Sequence, residues 1–157
     1  MPSVKIVKKP DGKKLNAKVK RVKDPKFVKV GFPEGSGEYP EREGQEPIPI
    51  VTVAVWTEFG NARIPEWAYF RAAMKDNRSK YRKLAKRLYK QVLDGKITKE
   101  KALGLLGEMA VGDIQDSITN TTSPANSLET VARKGSSNPL IDTGLMKNSV
   151  RSEVIDG

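Results

Sequence analysis

The longest apolar-rich run in this chain is only nine residues, Ile48 to Trp56, and Pro49 and Thr52 interrupt it. A helix needs roughly 20 apolar residues to span a bilayer, so this run cannot. The basic start MPSVKIVKKPDGKK lacks the apolar stretch of a secretory signal. The expectation is a soluble domain whose core is assembled from short pieces. With 157 residues, 37% of them hydrophobic, the chain can bury one modest core and still leave sequence for loops or arms. It contains no Cys and no His. A disulfide framework, thiol chemistry, a His-containing triad and a usual zinc site are thereby excluded.

Residues 4–23 alternate apolar and basic in places, and Pro10-Asp11-Gly12 interrupts them. A turn between two alternating runs predicts an extended arm or loose hairpin over residues 1–24. Phe27 to Phe32 reads as a strand, and the β-branched run Ile50 to Trp56 reads as a central strand paired antiparallel with it. Between them, residues 33–49 are rich in Gly, Glu and Pro and predict a long loop. Gly60-Asn61 breaks the chain, and Pro65 fits the first turn of a helix over Glu66 to Met74.

Tyr81, Leu84, Ala85, Leu88 and Val92 then recur at 3–4 spacing and predict a helix from Asn77 to Leu93. Thr98 is the natural N-cap of the next helix, which carries Ala102, Leu105, Leu106, Met109, Ala110, Ile114 and Ile118. Gly104, Gly107 and Gly112 inside it call for close approach to a neighbour. Residues 119–139 read as a second long loop, and Ser149 to Ile155 as a closing strand. The predicted fold class is α+β: a small antiparallel sheet packed by two main helices, with a basic N-terminal arm. Residues 25–157 form its single domain.

Charge comes in blocks. Residues 1–30 hold eleven Lys or Arg and two Asp; residues 31–50 hold one Arg and five Glu; residues 75–101 hold eleven basic and three acidic side chains. Lys75, Arg78, Arg82, Lys86 and Lys90 form a helical stripe with no acid between Asp76 and Asp94. Such a helix repels itself unless a partner supplies anions, either phosphates or carboxylates. Arg78, Arg82, Lys86 and Lys90 are therefore candidate contacts for DNA or an acidic partner. The ordinary alternative is a solvated face.

Asp142-Thr143-Gly144 matches the local signature of an aspartic protease, but too little chain follows for the strands that fold needs. Capping of a turn by Asp142 or Thr143 is the simpler reading. The acidic loop of Glu34, Glu38, Glu41, Glu43 and Glu46 lacks the spacing of a calcium loop. No phosphate-binding loop or nucleophile elbow occurs. The expectation is a protein without catalytic residues, cofactor, metal or small-molecule substrate.

Two stretches carry a resemblance. Val53 to Ala73, VAVWTEFGNARIPEWAYFRAA, is similar to the strand–turn–helix signature of neck and tail-completion proteins of tailed bacteriophages. It keeps Glu58, Phe59, Gly60, Ile64, Pro65, Phe70 and Arg71, and places Trp67-Ala68 where the family often has Arg-Pro. Asn126 to Val150 resembles the same family's second signature through Asn126, Thr130, Lys134, Gly135, Pro139, Leu140, Asp142, Thr143 and Gly144. The two together cover about a third of the chain, in the family's order. The resemblance implies a non-enzymatic virion protein that forms a ring with itself at the head–tail junction or the top of the tail. Its neighbours would be connector and tail proteins and genomic DNA in the channel; no membrane would be involved. Its place would be the virion, and the host cytoplasm during assembly. The signature residues would be architectural. A basic nucleic-acid-binding protein is the alternative reading, and an aspartic protease-like enzyme a third.

Overall fold

In chain order the elements are α1 (Gly12–Lys23), β1 (Lys26–Gly31), β2 (Glu38–Tyr39), β3 (Ile48–Pro49), α2 (Ile50–Phe59), α3 (Tyr69–Asp76), α4 (Arg78–Leu93), α5 (Lys99–Asn120), α6 (Leu128–Lys134), α7 (Leu145–Asn148) and β4 (Arg151–Asp156). They come from a computed structural model that describes residues 11–41, 44 and 46–157. The fold class is α+β, as expected. Helices dominate it, and each of its two small antiparallel sheets has two strands.

Helix α5 is the spine. Thr98 caps it, its hydroxyl accepting from the Lys101 N–H at 3.1 Å, and Glu100 sits in the positive first turn. Its N-terminal half packs Ala102 against Leu84, Leu88 and Val92 of α4. Its C-terminal half buries Ile114 and Ile118 with Ile50, Ala54, Tyr69, Ala73, Leu140, Met146 and Val150. One helix thus joins two apolar clusters. Against its middle lies the sheet of β1 and β4, paired antiparallel from Lys26↔Asp156 to Gly31↔Arg151. Close approach there depends on Gly107. A Cβ at that position would stand 2.7 Å from both the Ser152 Cβ and the Val28 Cγ2.

Five sequence expectations are corrected. Residues 12–23 form helix α1, not an extended arm or hairpin. Asp11 caps it by accepting from the Lys13 N–H, and Leu15, Val19 and Val22 share one helical face. Residues 1–10, the rest of the expected arm, lie outside the described set, as does Glu43. Ile50 to Trp56 is not the central strand but most of α2, and the partner of β1 is β4. β-branching favours strands, but it is a weak preference that packing overrides when a segment must bury Ile50 and Ala54 on one side of a helix.

The loop 33–49 contains the β2–β3 ladder, Glu38↔Pro49 and Tyr39↔Ile48, while 119–139 contains α6. Ser127 starts α6 by accepting from the Thr130 N–H, and Gly135 ends it in the left-handed region at φ +70°. Helix α3 starts at Tyr69 rather than Pro65, because the chain first turns back along α2.

Of the three glycines in α5, Gly104 and Gly112 have open space where a Cβ would go. Gly107→Ala is therefore expected to destabilise the fold by about 1–3 kcal/mol through overpacking against β1 and β4. Gly104→Ala should stabilise it by up to about 1 kcal/mol through helix propensity. Urea unfolding of the two variants checks the opposite signs.

Candidate functional site

The first signature stretch closes around one carboxylate. Glu58, in the last turn of α2, is only 5% exposed. Its Oε2 accepts from the Phe70 N–H at 2.8 Å, and its Oε1 from the Arg71 N–H at 3.0 Å and the Arg71 Nε at 2.8 Å. Phe70 and Arg71 lie in the first turn of α3, whose N-cap, Ala68, has no side chain to offer and sits at φ +49°. Glu58 supplies the missing cap from another helix, and a negative charge there also complements the α3 dipole.

Arg71 fixes the same joint from the other side. Its Nη2 donates to the Glu58 carbonyl and to Glu66 Oε1, and its guanidinium lies 4.8 Å from the centroid of the Phe59 ring. Its hydrogen bonds to the Glu58 and Glu66 carboxylates raise its pKa further above an already high value. Gly60 permits the return of the chain. It takes φ +72°, and a Cβ on it would stand 2.9 Å from the Glu66 nitrogen. Asn61 then orders the turn by accepting from the Arg63 and Ile64 N–H groups, both at 2.9 Å. Glu58, Phe59, Gly60, Ile64, Phe70 and Arg71 thus belong to one α2–α3 joint, and Pro65 lies exposed in the connection.

The second stretch is built around a residue that the signature did not single out. Asn138 Oδ1 accepts from the Leu140 and Ile141 N–H groups, and its Nδ2 donates to the Thr119 carbonyl at 2.7 Å. Asn126 and Lys134 both donate to the Asn138 carbonyl, and Lys134 also to that of Pro139. Burial lowers the Lys134 pKa, against the opposing pull of Asp142. Thr143 accepts from the Leu145 N–H, and Gly144, at φ +79°, starts α7. An Asn before Pro is a turn former. That was the available signal for Asn138.

The two stretches meet. Trp67 Nε1 donates to the Pro124 carbonyl at 2.8 Å. Beside it a cleft of about 310 Å³ is lined by Ile64 and Trp67 from the first stretch and by Asn126, Thr130, Lys134, Leu140 and Asp142 from the second. Tyr39 and Ile48 of the β2–β3 ladder form its other wall. Tyr69 is fully buried, its hydroxyl donating to the Ala54 carbonyl at 3.3 Å; burial pushes its pKa up.

The basic helix lies elsewhere. All of Arg78, Arg82, Lys86 and Lys90 are exposed along α4, and among the described residues none of them is in an ion pair. Lys80 of the same helix pairs with a carboxylate, Asp113 of α5. The C-terminus of α4 receives cations from α1: Arg21 donates to the Leu93 carbonyl at 2.9 Å, and Lys18 pairs with Asp94 at 3.6 Å. Among the described residues no Asp or Glu cluster could hold a metal ion, and no helix is long and apolar enough to cross a membrane.

Comparison with known protein families, with curated proteins and with solved structures finds no match to this chain.

Removing the shared carboxylate strands several donors at once. Glu58→Ala is expected to cost about 3 kcal/mol or more. Arg71→Lys should lower the melting temperature as well, since an ammonium cannot reproduce the guanidinium's fork or its seat on Phe59. Thermal unfolding followed by circular dichroism checks both variants.

Proposed function

We propose that this chain is a non-enzymatic structural subunit of a tailed bacteriophage, forming a ring at the head–tail junction or completing the top of the tail. The observation that carries the reading is the convergence of the two signature stretches. They lie more than fifty residues apart in sequence, yet both contribute to the lining of one cleft. Their polar members do architectural work, Asn126 and Lys134 at that cleft and Glu58 and Arg71 at the neighbouring α2–α3 joint. Glu58 and Arg71 lock α2 to α3; Asn126 and Lys134 hold the turn before α7. Partners of such a subunit are its own copies and the adjoining connector and tail proteins. Its place is the virion, and the host cytoplasm during assembly.

Mass spectrometry of purified virions is expected to find the chain at a fixed copy number. A nonsense mutation in its gene should leave heads and tails unjoined. Virions that lack the protein, or that assemble normally without it, overturn the reading.

The unpaired stripe on α4 favours a second reading, a nucleic-acid-binding protein. Four phosphate contacts by Arg78, Arg82, Lys86 and Lys90 would give a slope of log K against log salt of about −3 to −4 on duplex DNA. Arg78→Gln with Arg82→Gln would flatten that slope by about 2. Fluorescence anisotropy over a salt series measures it, and weak binding with no salt dependence excludes this reading.

A further inference from the structure

Helix α2 is apolar on two sides, and the described residues cover only one of them. Ile50, Ala54, Thr57 and Glu58 face inward. Val51, Val55 and Phe59 recur every fourth residue on the outer side; Val55 is 50% exposed and Phe59 58%. Trp56 beside them is exposed as well. A helix apolar all round is normally covered all round, and a contiguous exposed ridge of this kind marks a contact surface. At the start of the ridge, Val51 shares a hollow with Glu38 and the Pro33–Gly37 turn, which carries Glu34. Both carboxylates are exposed, and among the described residues neither is in an ion pair.

A second exposed apolar surface, flanked by the opposite charge, occurs at the other apolar cluster. Between α4 and α5 lies a groove of about 370 Å³, lined by Ala85, Leu88, Tyr89, Val92, Leu103 and Leu106. Val22 of α1 also lines it. On the same face of α1, Leu15 and Val19 are half exposed. Lys86 forms part of the groove wall, and Arg82 and Lys90 stand one turn to either side of it on α4. Their charges are as unpaired as those of Glu34 and Glu38.

We propose that the α2 ridge of one copy seats in the α4–α5 groove of the next, with Glu34 and Glu38 meeting Arg82, Lys86 and Lys90. Burial of the apolar ridge supplies the affinity, and the charged rims set partner and register. The two patches are different, so the contact is heterologous. Repeated copies therefore close into a ring or continue as a filament. The inference deepens the ring-subunit reading by naming the surfaces that touch.

Sedimentation velocity on the full chain tests it, at concentrations up to about 1 mM, where even a contact worth only about 4 kcal/mol is half formed. The wild-type chain should form oligomers. Val55→Glu, which spoils the ridge, and Tyr89→Glu, which spoils the groove, should each be monomeric. An equimolar mixture of these two variants should form a one-to-one dimer and nothing larger, because it retains one good ridge and one good groove. Both side chains are half exposed, and circular dichroism confirms that each variant is folded. Glu38→Lys and Lys86→Glu should each weaken association, and the doubly substituted chain should regain it.

A wild-type chain monomeric throughout, association unchanged in either single variant, or a mixture that stays monomeric overturns the proposal. So does a Tyr89→Glu chain that still dimerises alone, which would mean ridge-to-ridge pairing. Virion composition separates the two levels. A chain present in virions whose copies ignore ridge and groove refutes this interface alone; absence from virions refutes the neck reading while the solution measurement stands.

Discussion

The fold turns on a buried negative charge. A carboxylate withdrawn from water costs several kcal/mol unless its oxygens are fully used, and Glu58 uses both of its oxygens on donors from α3. The interaction is more demanding than an ordinary ion pair, because the two backbone N–H groups it satisfies would otherwise be orphans at a helix start. Helix α3 therefore begins where Glu58 allows it to, and Tyr69 and Ala73 enter the core from that starting point. Gly60, Asn61 and the left-handed Ala68 are the backbone conditions for bringing the two helices to that carboxylate.

From this joint the rest follows through α5. Ser117 donates to the Tyr69 carbonyl at 2.8 Å, linking the start of α3 to the spine, and Asp113 reaches Lys80 of α4 one turn earlier. Burial beside Asp113 also raises the pKa of the Tyr81 hydroxyl. Apolar packing holds the two clusters together, while these few polar contacts fix the rotation of α3 and α4 about the spine. The basic stripe of α4 is left pointing outward because its inward positions are taken by Leu84, Leu88 and Val92.

Elements with a local signal were legible in the sequence. Helices α4 and α5 have clear 3–4 periodicity, Thr98 and Gly60 punctuate as expected, and the closing strand β4 alternates. Helix α2 was not legible, because a segment apolar on every side has no period to read, and its Val and Ile residues favour the strand reading. In α1 the Pro-Asp-Gly turn signal concealed the fact that Asp11 was a cap. The resemblance drew attention to Glu58 and Arg71, but not to what they do. Their donors and acceptors lie twelve and thirteen residues apart, across a reversal that no local pattern encodes. Asn138 carries a local turn signal before Pro139, but its links to Thr119 and Asn126, nineteen and twelve residues away, are not encoded in it.

The pairing of β1 with β4 has a consequence for folding. Lys26 meets Asp156 across 130 positions of sequence, whereas the helices close their own bonds four residues at a time. Loop-closure entropy makes such a long-range ladder costlier to form than the local bonds of α4 and α5. The Gly107 notch on α5 receives two strands that arrive from opposite ends of the domain. One missing side chain in the spine thus marks the seam that joins the two ends of the described chain.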